Sequence, residues 1–321
     1  MIAMPAMVVL VAFFLDLVLG DPRWLPHPVR GIGWMIGWTE TVLRRFARSP
    51  RSEKRAGVLL VMLIVLLVYA FSALLLFLAS SASSLLGFII AVLLAYTTLA
   101  ARDLSRSARN VLVYLEGGDI AGARLALSMI VGRDTADLDE QGITRAVVET
   151  VAENTSDGVI APLFYLALGG PALAMAYKAV NTLDSMVGYN NAAYKNFGWA
   201  AARLDDLANF VPARISAVLL SLAAWCLPGA SGRNAFRISL RDGRKHASPN
   251  SGYPEAAVAG ALGLRLGGPS AYGGLISDKP SIGDGLRDFD KKCIEMSIRL
   301  MYCATTFAVL AAVFSVQRLY G

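Results

Sequence analysis

Charge is what this sequence has least of. Only 17% of its 321 residues are charged, while 55% are hydrophobic. Soluble domains carry roughly 25% charged and about 45–50% apolar residues on a similar count. The balance excludes a disordered chain and points to a bilayer rather than a large aqueous core. Histidine is nearly absent: His27 and His246 are the two in the chain, which excludes a multi-histidine metal site. Cys226, Cys293 and Cys303 form no CxxC pair, so neither a disulfide framework nor a thiolate zinc site is supported. GxxxxGK[ST], GxSxG and HExxH sequences are also missing. Gly31-Ile32-Gly33-Trp34-Met35-Ile36-Gly37 is GxGxxxG after a proline-rich turn, which argues against a dinucleotide fold. No internal repeat and no strand-like alternation stands out.

What is present is a series of apolar runs. Residues 57–79 are uncharged and long enough to cross a hydrocarbon core of about 30 Å. Residues 85–101 and 300–316 are similar. Residues 3–19, interrupted by Asp16, read as a retained first membrane helix, because no Lys or Arg precedes Arg23. Segment 159–180 holds Gly169-Gly170-Pro171 at its centre, and 211–228 carries Arg214 near its start. Each is either a crossing or a re-entrant element. The expected fold is all-α: a multi-pass integral membrane helical bundle with cytoplasmic helices and loops, forming a single membrane-embedded domain over 1–321. The net charge of +6 suits a membrane surface better than nucleic acid. Arg23, Arg30, Arg44, Arg45, Arg48, Arg51, Lys54 and Arg55 place 21–56 in the cytoplasm, with both termini outside. Residues 103–153 read as helices broken at Gly117-Gly118 and Gly132, with Asp119 as an N-cap. Residues 248–290 read as loop around one small-residue helix near 255–266.

The polar chemistry concentrates between 145 and 210. Arg145, Glu149 and Glu153 are spaced i, i+4, i+8, on one helix face, and Arg145 can pair with Glu149. Asn154, Ser156 and Asp157 follow. Two carboxylates one turn apart, with Asn and Asp behind them, can hold magnesium; the same residues also suit a plain polar helix end. Lys178, Asn181, Thr182, Asp184 and Ser185 directly follow an apolar run. There a charge either marks a site, with Lys178 on a phosphate, or snorkels to the interface. Tyr189, Asn190 and Tyr194 come next. Arg203 stands beside Asp205 and Asp206: a plain ion-pair cluster, or a phosphate-binding guanidinium with Asp205 as a second metal ligand. Near the N-terminus, Pro22, Pro26 and Pro28 stiffen a turn that holds Asp21, His27 and Arg30, or one that Trp24 merely anchors at the interface.

These motifs resemble a known family. GDPRWLPHPVRGIG (20–33), ETVAENTSDGVIAPLFY (149–165), YKAVNTLDSMVGY (177–189), FGWAAARLDD (197–206) and PNSGYPEAAVAGALGLRLGG (249–268) resemble, in order, the adenosylcobinamide-phosphate synthases of cobalamin biosynthesis, the CbiB/CobD family. Ser248 stands where that family often has Arg. The resemblance implies a multi-pass enzyme of the cell (inner) membrane whose site is accessible from the cytoplasm. It would use ATP and Mg2+ to join adenosylcobyric acid, a corrinoid, to (R)-1-aminopropan-2-ol O-phosphate or ethanolamine phosphate. Partners beyond substrates and the bilayer would be other late cobalamin-pathway membrane enzymes, not nucleic acid. On this reading Glu153, Asp157, Lys178, Asp184 and Arg203 are catalytic. Asn154, Ser156, Asn181, Tyr189, Asp21, His27 and Arg30 bind the co-substrates. Glu149, Glu153, Asp157 and Asp205 hold the metal. The alternative is a transporter, since intramembrane charge and a Gly-Gly-Pro break serve carriers too. A CDP-alcohol phosphotransferase fails, because Asp157-Gly158 is not followed by the Ala-Arg that motif needs.

Overall fold

The computed structural model describes residues 4–22, 27–189, 191–272 and 274–320; Arg23, Trp24 and Asn190 lie outside the described residues. In chain order the helices are α1 (Met4–Leu19), α2 (Pro28–Arg44), α3 (Pro50–Ala82), α4 (Ser84–Tyr96), α5 (Ala101–Glu116), α6 (Ile120–Ser128) and α7 (Glu140–Thr155), then a π-helical turn (Ser156–Ile160). There follow α8 (Ala161–Val187), α9 (Trp199–Ala208), α10 (Phe210–Cys226), α11 (Gly232–Asp242), α12 (Gly252–Leu262), strands β1 (Leu266–Tyr272) and β2 (Leu275–Ile282), and α13 (Lys291–Tyr320).

The all-α membrane architecture is as expected. Among the described residues, four stretches are long and apolar enough to cross a bilayer: Pro50–Ala82, Ser84–Glu116, Glu140–Val187 and Lys291–Leu319. A fifth arises if α9 and α10, bent by 46°, count as one span. With 16 residues, α1 is shorter: at 1.5 Å per residue it reaches about 24 Å, less than the full core. The stretch Glu140–Val187 has 48 residues and would measure about 72 Å if straight. The π turn interrupts it, and so does the expected Gly-Gly-Pro break, where Gly169 (φ −147°) and Gly170 (φ +71°) leave helical geometry ahead of Pro171. Only glycine adopts the Gly170 conformation readily.

The chain divides into two compact units. The first comprises 1–100, 161–209 and 309–321; the second comprises 101–160 and 210–308.

In the first unit α3 organises the core. Ser49 caps it through a reciprocal capping box with Ser52, and Pro50 occupies the first turn. One stripe at helical spacing, Leu60, Val61, Ile64 and Val68, is buried against Met175, Ala179 and Leu183 of α8 and against Ile32 and Ile36 of α2. The opposite flank, including Leu59, Met62, Leu66 and Phe71, is exposed, as lipid-facing residues are in the absence of lipid. Gly57 lets the backbone of residue 197 come close: a Cβ at position 57 would lie 1.8 Å from the Phe197 carbonyl oxygen.

The second unit has two cores. Val111, Leu115, Leu127, Ile143, Val147 and Ile298 join α5, α6, α7 and α13. Leu220, Ile238, Ala257, Leu262 and Leu300 join α10, α11, α12 and α13. Asp119 caps α6 by accepting from the Gly122 amide at 2.8 Å, as its position suggested, though the helix ends at Ser128. Every residue of α12 is buried. The antiparallel pair β1–β2, with Ser270 opposite Ser277 and an irregularity between Leu266 and Gly268, corrects the expectation of loop at 248–290. Glycine, proline and serine give these strands no apolar alternation, so their pairing left no periodic trace.

The Gly57 contact is testable. Gly57→Ala should lower the thermal midpoint in detergent, by about 1–3 kcal/mol of overpacking. Gly31→Ala, on the open side of α2 with nothing within 4 Å, should be neutral or mildly stabilising. Equal behaviour of the two variants in a thermal-shift assay would contradict the close approach.

Candidate functional site

In the first unit, residues flanking the N-terminus of α2 share a cavity with Lys178 of α8. Asp21, His27, Arg30 and Lys178 line one cavity of about 200 Å3, together with Val29, Thr97, Leu99 and Ala100. His27 performs two tasks there. Its Nδ1 accepts the Val29 amide at 3.3 Å and so caps α2. Its Nε2 lies 2.8 Å from Asp21 Oδ1. The α2 N-terminus, carrying Val29 and Arg30, therefore opens onto the cavity and adds the positive end of its dipole to two cations. The lining holds two cations against one carboxylate, which suits an anion. The volume, several times the roughly 30 Å3 share of one water, admits a phosphoryl group.

A second polar group in the same unit gathers around Asp205. Asn209 Nδ2 donates to Asp205 Oδ2 at 3.0 Å, and the Tyr177 hydroxyl donates to Asn209 Oδ1 at 2.8 Å. Tyr165 stacks on Tyr177, ring centroids 4.9 Å apart, and its hydroxyl donates to the Ala208 carbonyl at 2.9 Å. Asp184 and Asn181 both act on the Asp205 carboxylate. Three expected site residues thus share one neighbourhood. Arg203 does not join them: it is exposed on α9 and lies 3.7 Å from Asp206, not beside Asp205. One turn of helix carries Arg203 to residue 206, whereas residue 205 points elsewhere. Tyr189 is 52% exposed, its ring 6.0 Å from that of Tyr194.

In the second unit α7 carries Glu149 and Glu153. Glu149 is buried with both oxygens occupied: Arg133 Nη2 at 2.5 Å from Oε2, and the Gly267 amide at 2.9 Å from Oε1. Arg145 does not pair with it. Arg145 donates instead to the carbonyls of Gly267 and Pro269, at 2.8 and 3.0 Å. Glu153 Oε1 accepts from Ser251 Oγ at 3.0 Å. Asn154 turns back onto its own helix at the Thr150 carbonyl, 3.0 Å away. Ser156 is buried in the first position of the π turn, its Oγ without a hydrogen-bond partner, and half-buried Asp157 follows it.

The expected magnesium site does not fit these residues. Among the described residues no group of three or more His, Cys, Asp and Glu stands close enough to hold a metal ion. Glu149 is committed to Arg133 and the hairpin, and Asp205 to Asn209. Of the expected set, Glu149, Glu153 and Asp157 belong to the second unit and Asp205 to the first.

Residues outside that set complete the second-unit cluster. Glu255 on α12 is buried, and His246 Nε2 stands 3.9 Å from its Oε1. His246 Nδ1 accepts the Ser248 amide at 3.0 Å. Burial, then the charges of Glu149 and Glu153, push the Glu255 carboxyl well above the ordinary glutamate range. Burial, then the Lys279 charge, hold His246 below its usual range. The cluster thus favours the uncharged form of both groups, the carboxyl raised and the imidazole lowered. A lone Glu in a helix otherwise built of small apolar residues was the sequence signal for it.

A family profile described as CobD/Cbib protein matches residues 9–301. The chain is 55% identical over 302 residues to the cobalamin biosynthesis protein CobD of Pelobacter propionicus, covering 94% of this chain and 92% of that one. It is 50% identical over 299 residues to the protein of the same name from Klebsiella pneumoniae, covering 93% of each. It is 48% identical over 299 residues to the cobalamin biosynthesis protein CbiB of Salmonella arizonae, again covering 93% of each. No solved structure matches.

The Glu255 environment has a pH signature. Its folded-state value is raised, so the folded state holds more protons than the unfolded one, and stability falls as pH rises past the ordinary glutamate range. Glu255→Gln removes that liability. In a thermal-shift series from about pH 5 to pH 8, the variant should gain on the parent as pH rises. A gap that narrows with rising pH would show that Glu255 is not held protonated.

Proposed function

We propose that this chain, which belongs to the CobD/CbiB family of cobalamin biosynthesis proteins, is an adenosylcobinamide-phosphate synthase. The reaction joins a free propionate carboxylate of adenosylcobyric acid to the amine of (R)-1-aminopropan-2-ol O-phosphate or ethanolamine phosphate. A carboxylate is a poor acyl donor at neutral pH. ATP phosphorylates it, releasing ADP; the amine then attacks the acyl phosphate, releasing inorganic phosphate and forming the amide. Magnesium enters as the counter-ion of the nucleotide, part of the substrate. The membrane would be the cell (inner) membrane, with the site open to the cytoplasm.

The cavity of Asp21, His27, Arg30 and Lys178 is the observation that carries this reading within the molecule. Both small substrates bear phosphate, and a fixed cationic cavity at a helix N-terminus is what a phosphate needs. Lys178 lies on an apolar helix, where a charge commonly marks a functional site. Little nucleophilic chemistry is asked of the protein. Positioning and charge neutralisation carry catalysis in phosphoryl transfer, and a site poor in cysteine and histidine suits that. The alternative of a transporter lacks its usual support, a repeated half.

Lys178→Met and Arg30→Met should each lower kcat/KM for ATP or for the aminoalcohol phosphate by about ten- to a hundredfold, the worth of one charged phosphate contact at about 1.5–3 kcal/mol. Membrane expression should be little changed, and Lys178→Arg should retain part of the activity. The assay is formation of adenosylcobinamide phosphate from adenosylcobyric acid, ATP and the aminoalcohol phosphate. Parental kinetics in both methionine variants would remove the cavity from the site. No amide product from the parent protein would overturn the reaction itself.

A further inference from the structure

The first turns of α3 carry three cations. Arg51, Lys54 and Arg55 are spaced i, i+3, i+4 and all are exposed. With Val58 they line a depression of about 400 Å3. Glu53, the acid among them in sequence, is engaged elsewhere: its Oε2 accepts the Asn196 amide at 3.1 Å. Among the described residues none of the three cations has a carboxylate within ion-pairing distance. Lys54 Nζ sits 3.6 Å from the centre of the Trp199 ring, which is 42% exposed. A Lys over an exposed Trp is an arrangement suited to a membrane interface.

Directly beyond the cations the same flank becomes apolar. Val58, Met62 and Leu66 continue the Arg51–Arg55 row at helical spacing and stay exposed, while Leu60, Ile64 and Val68 on the other side are buried. From Val58 to Leu66 the helix rises about 12 Å, close to the roughly 15 Å of one leaflet's hydrocarbon. One helix flank thus offers unneutralised positive charge at one depth and a leaflet's length of apolar surface below it.

We propose that this flank of α3 binds an anionic phospholipid, its phosphate held by Arg51, Lys54 and Arg55 and its acyl chains laid along Val58, Met62 and Leu66. Three cations without a neighbouring acid select a lipid of net negative charge over a zwitterionic one. The apolar row selects a lipid over free phosphate. The inference needs nothing from the catalytic reading.

Native mass spectrometry of the full-length protein in a neutral detergent tests it, with phosphatidylglycerol and phosphatidylcholine of identical chains as probes. The parent protein should retain phosphatidylglycerol at least about tenfold better than phosphatidylcholine. Arg51→Gln/Lys54→Gln/Arg55→Gln should weaken phosphatidylglycerol retention on the order of a hundredfold, about fivefold per cation. Arg51→Lys/Arg55→Lys should keep it. Millimolar inorganic phosphate should not displace the lipid. Equal retention of the two lipids by the parent protein overturns the proposal, whether or not the glutamine variant folds. So does an unchanged preference in that variant, or displacement by phosphate, which would mark a simple anion site.

Discussion

A buried ionisable group in so apolar a chain survives only where an opposite charge or a set of hydrogen bonds meets it. Glu149 shows how much follows from that constraint. Its buried carboxylate needs two partners and takes them from distant places, Arg133 on one oxygen and the Gly267 amide on the other. The Gly267 bond ties the β1 strand to α7, and Arg133 also reaches Ser270 Oγ on that strand at 3.5 Å. Arg145 adds bonds to the carbonyls of Gly267 and Pro269, and Asp134 takes the Gly274 amide at 2.8 Å. A hairpin of this composition has little apolar surface with which to bind its own unit, so polar bonds locate it. The hairpin in turn brings Lys279 into electrostatic reach of Glu255 and His246. Replacing a buried pair by apolar residues can be neutral for stability; here the pair positions the strand that completes a charged cluster.

The same rule shapes the first unit at smaller scale. His27 is at once the cap of α2 and the neighbour of Asp21. One ring therefore fixes both where the helix begins and how the cavity is lined. Asp21, His27 and the α2 helix dipole then work on the same small volume as Lys178.

How much of this was legible in the sequence depended on the range of the interaction. Apolar runs, the break at Gly169-Gly170 and the Asp119 cap are local, so length, period and residue type exposed them. The convergence of Asp21, His27 and Arg30 with Lys178 was legible only as separate motifs, each carrying polar groups that needed a partner. Pairings across the fold were not legible. Helical spacing suggested Arg145 with Glu149, but an exposed i, i+4 pair contributes about 0.2–0.5 kcal/mol. A hydrogen bond from a charged donor contributes about 1.5–3 kcal/mol, and Arg145 makes two, to carbonyls more than a hundred residues away. The hairpin was hidden for the same reason: its register comes from partners on other elements, not from alternation within it.

The acidic residues of α7 raise a related point. Helical spacing puts Glu149 and Glu153 on one face, and the helix passes into a π turn at Ser156, ahead of Asp157. A wider turn rotates each residue by less than the α-helical 100°, so the face count drifts from that position onward. Glu149 and Glu153, before the turn, share the face the count assigned to them, and both find partners in the second unit. Asp157 lies within the turn, where periodicity no longer states its direction. Single π turns recur at functional positions because the extra residue leaves backbone and side-chain groups without their helical partners. The buried, unsatisfied hydroxyl of Ser156 is such a group. In a chain this short of polar residues, a polar group left unmet in the interior costs too much to be incidental.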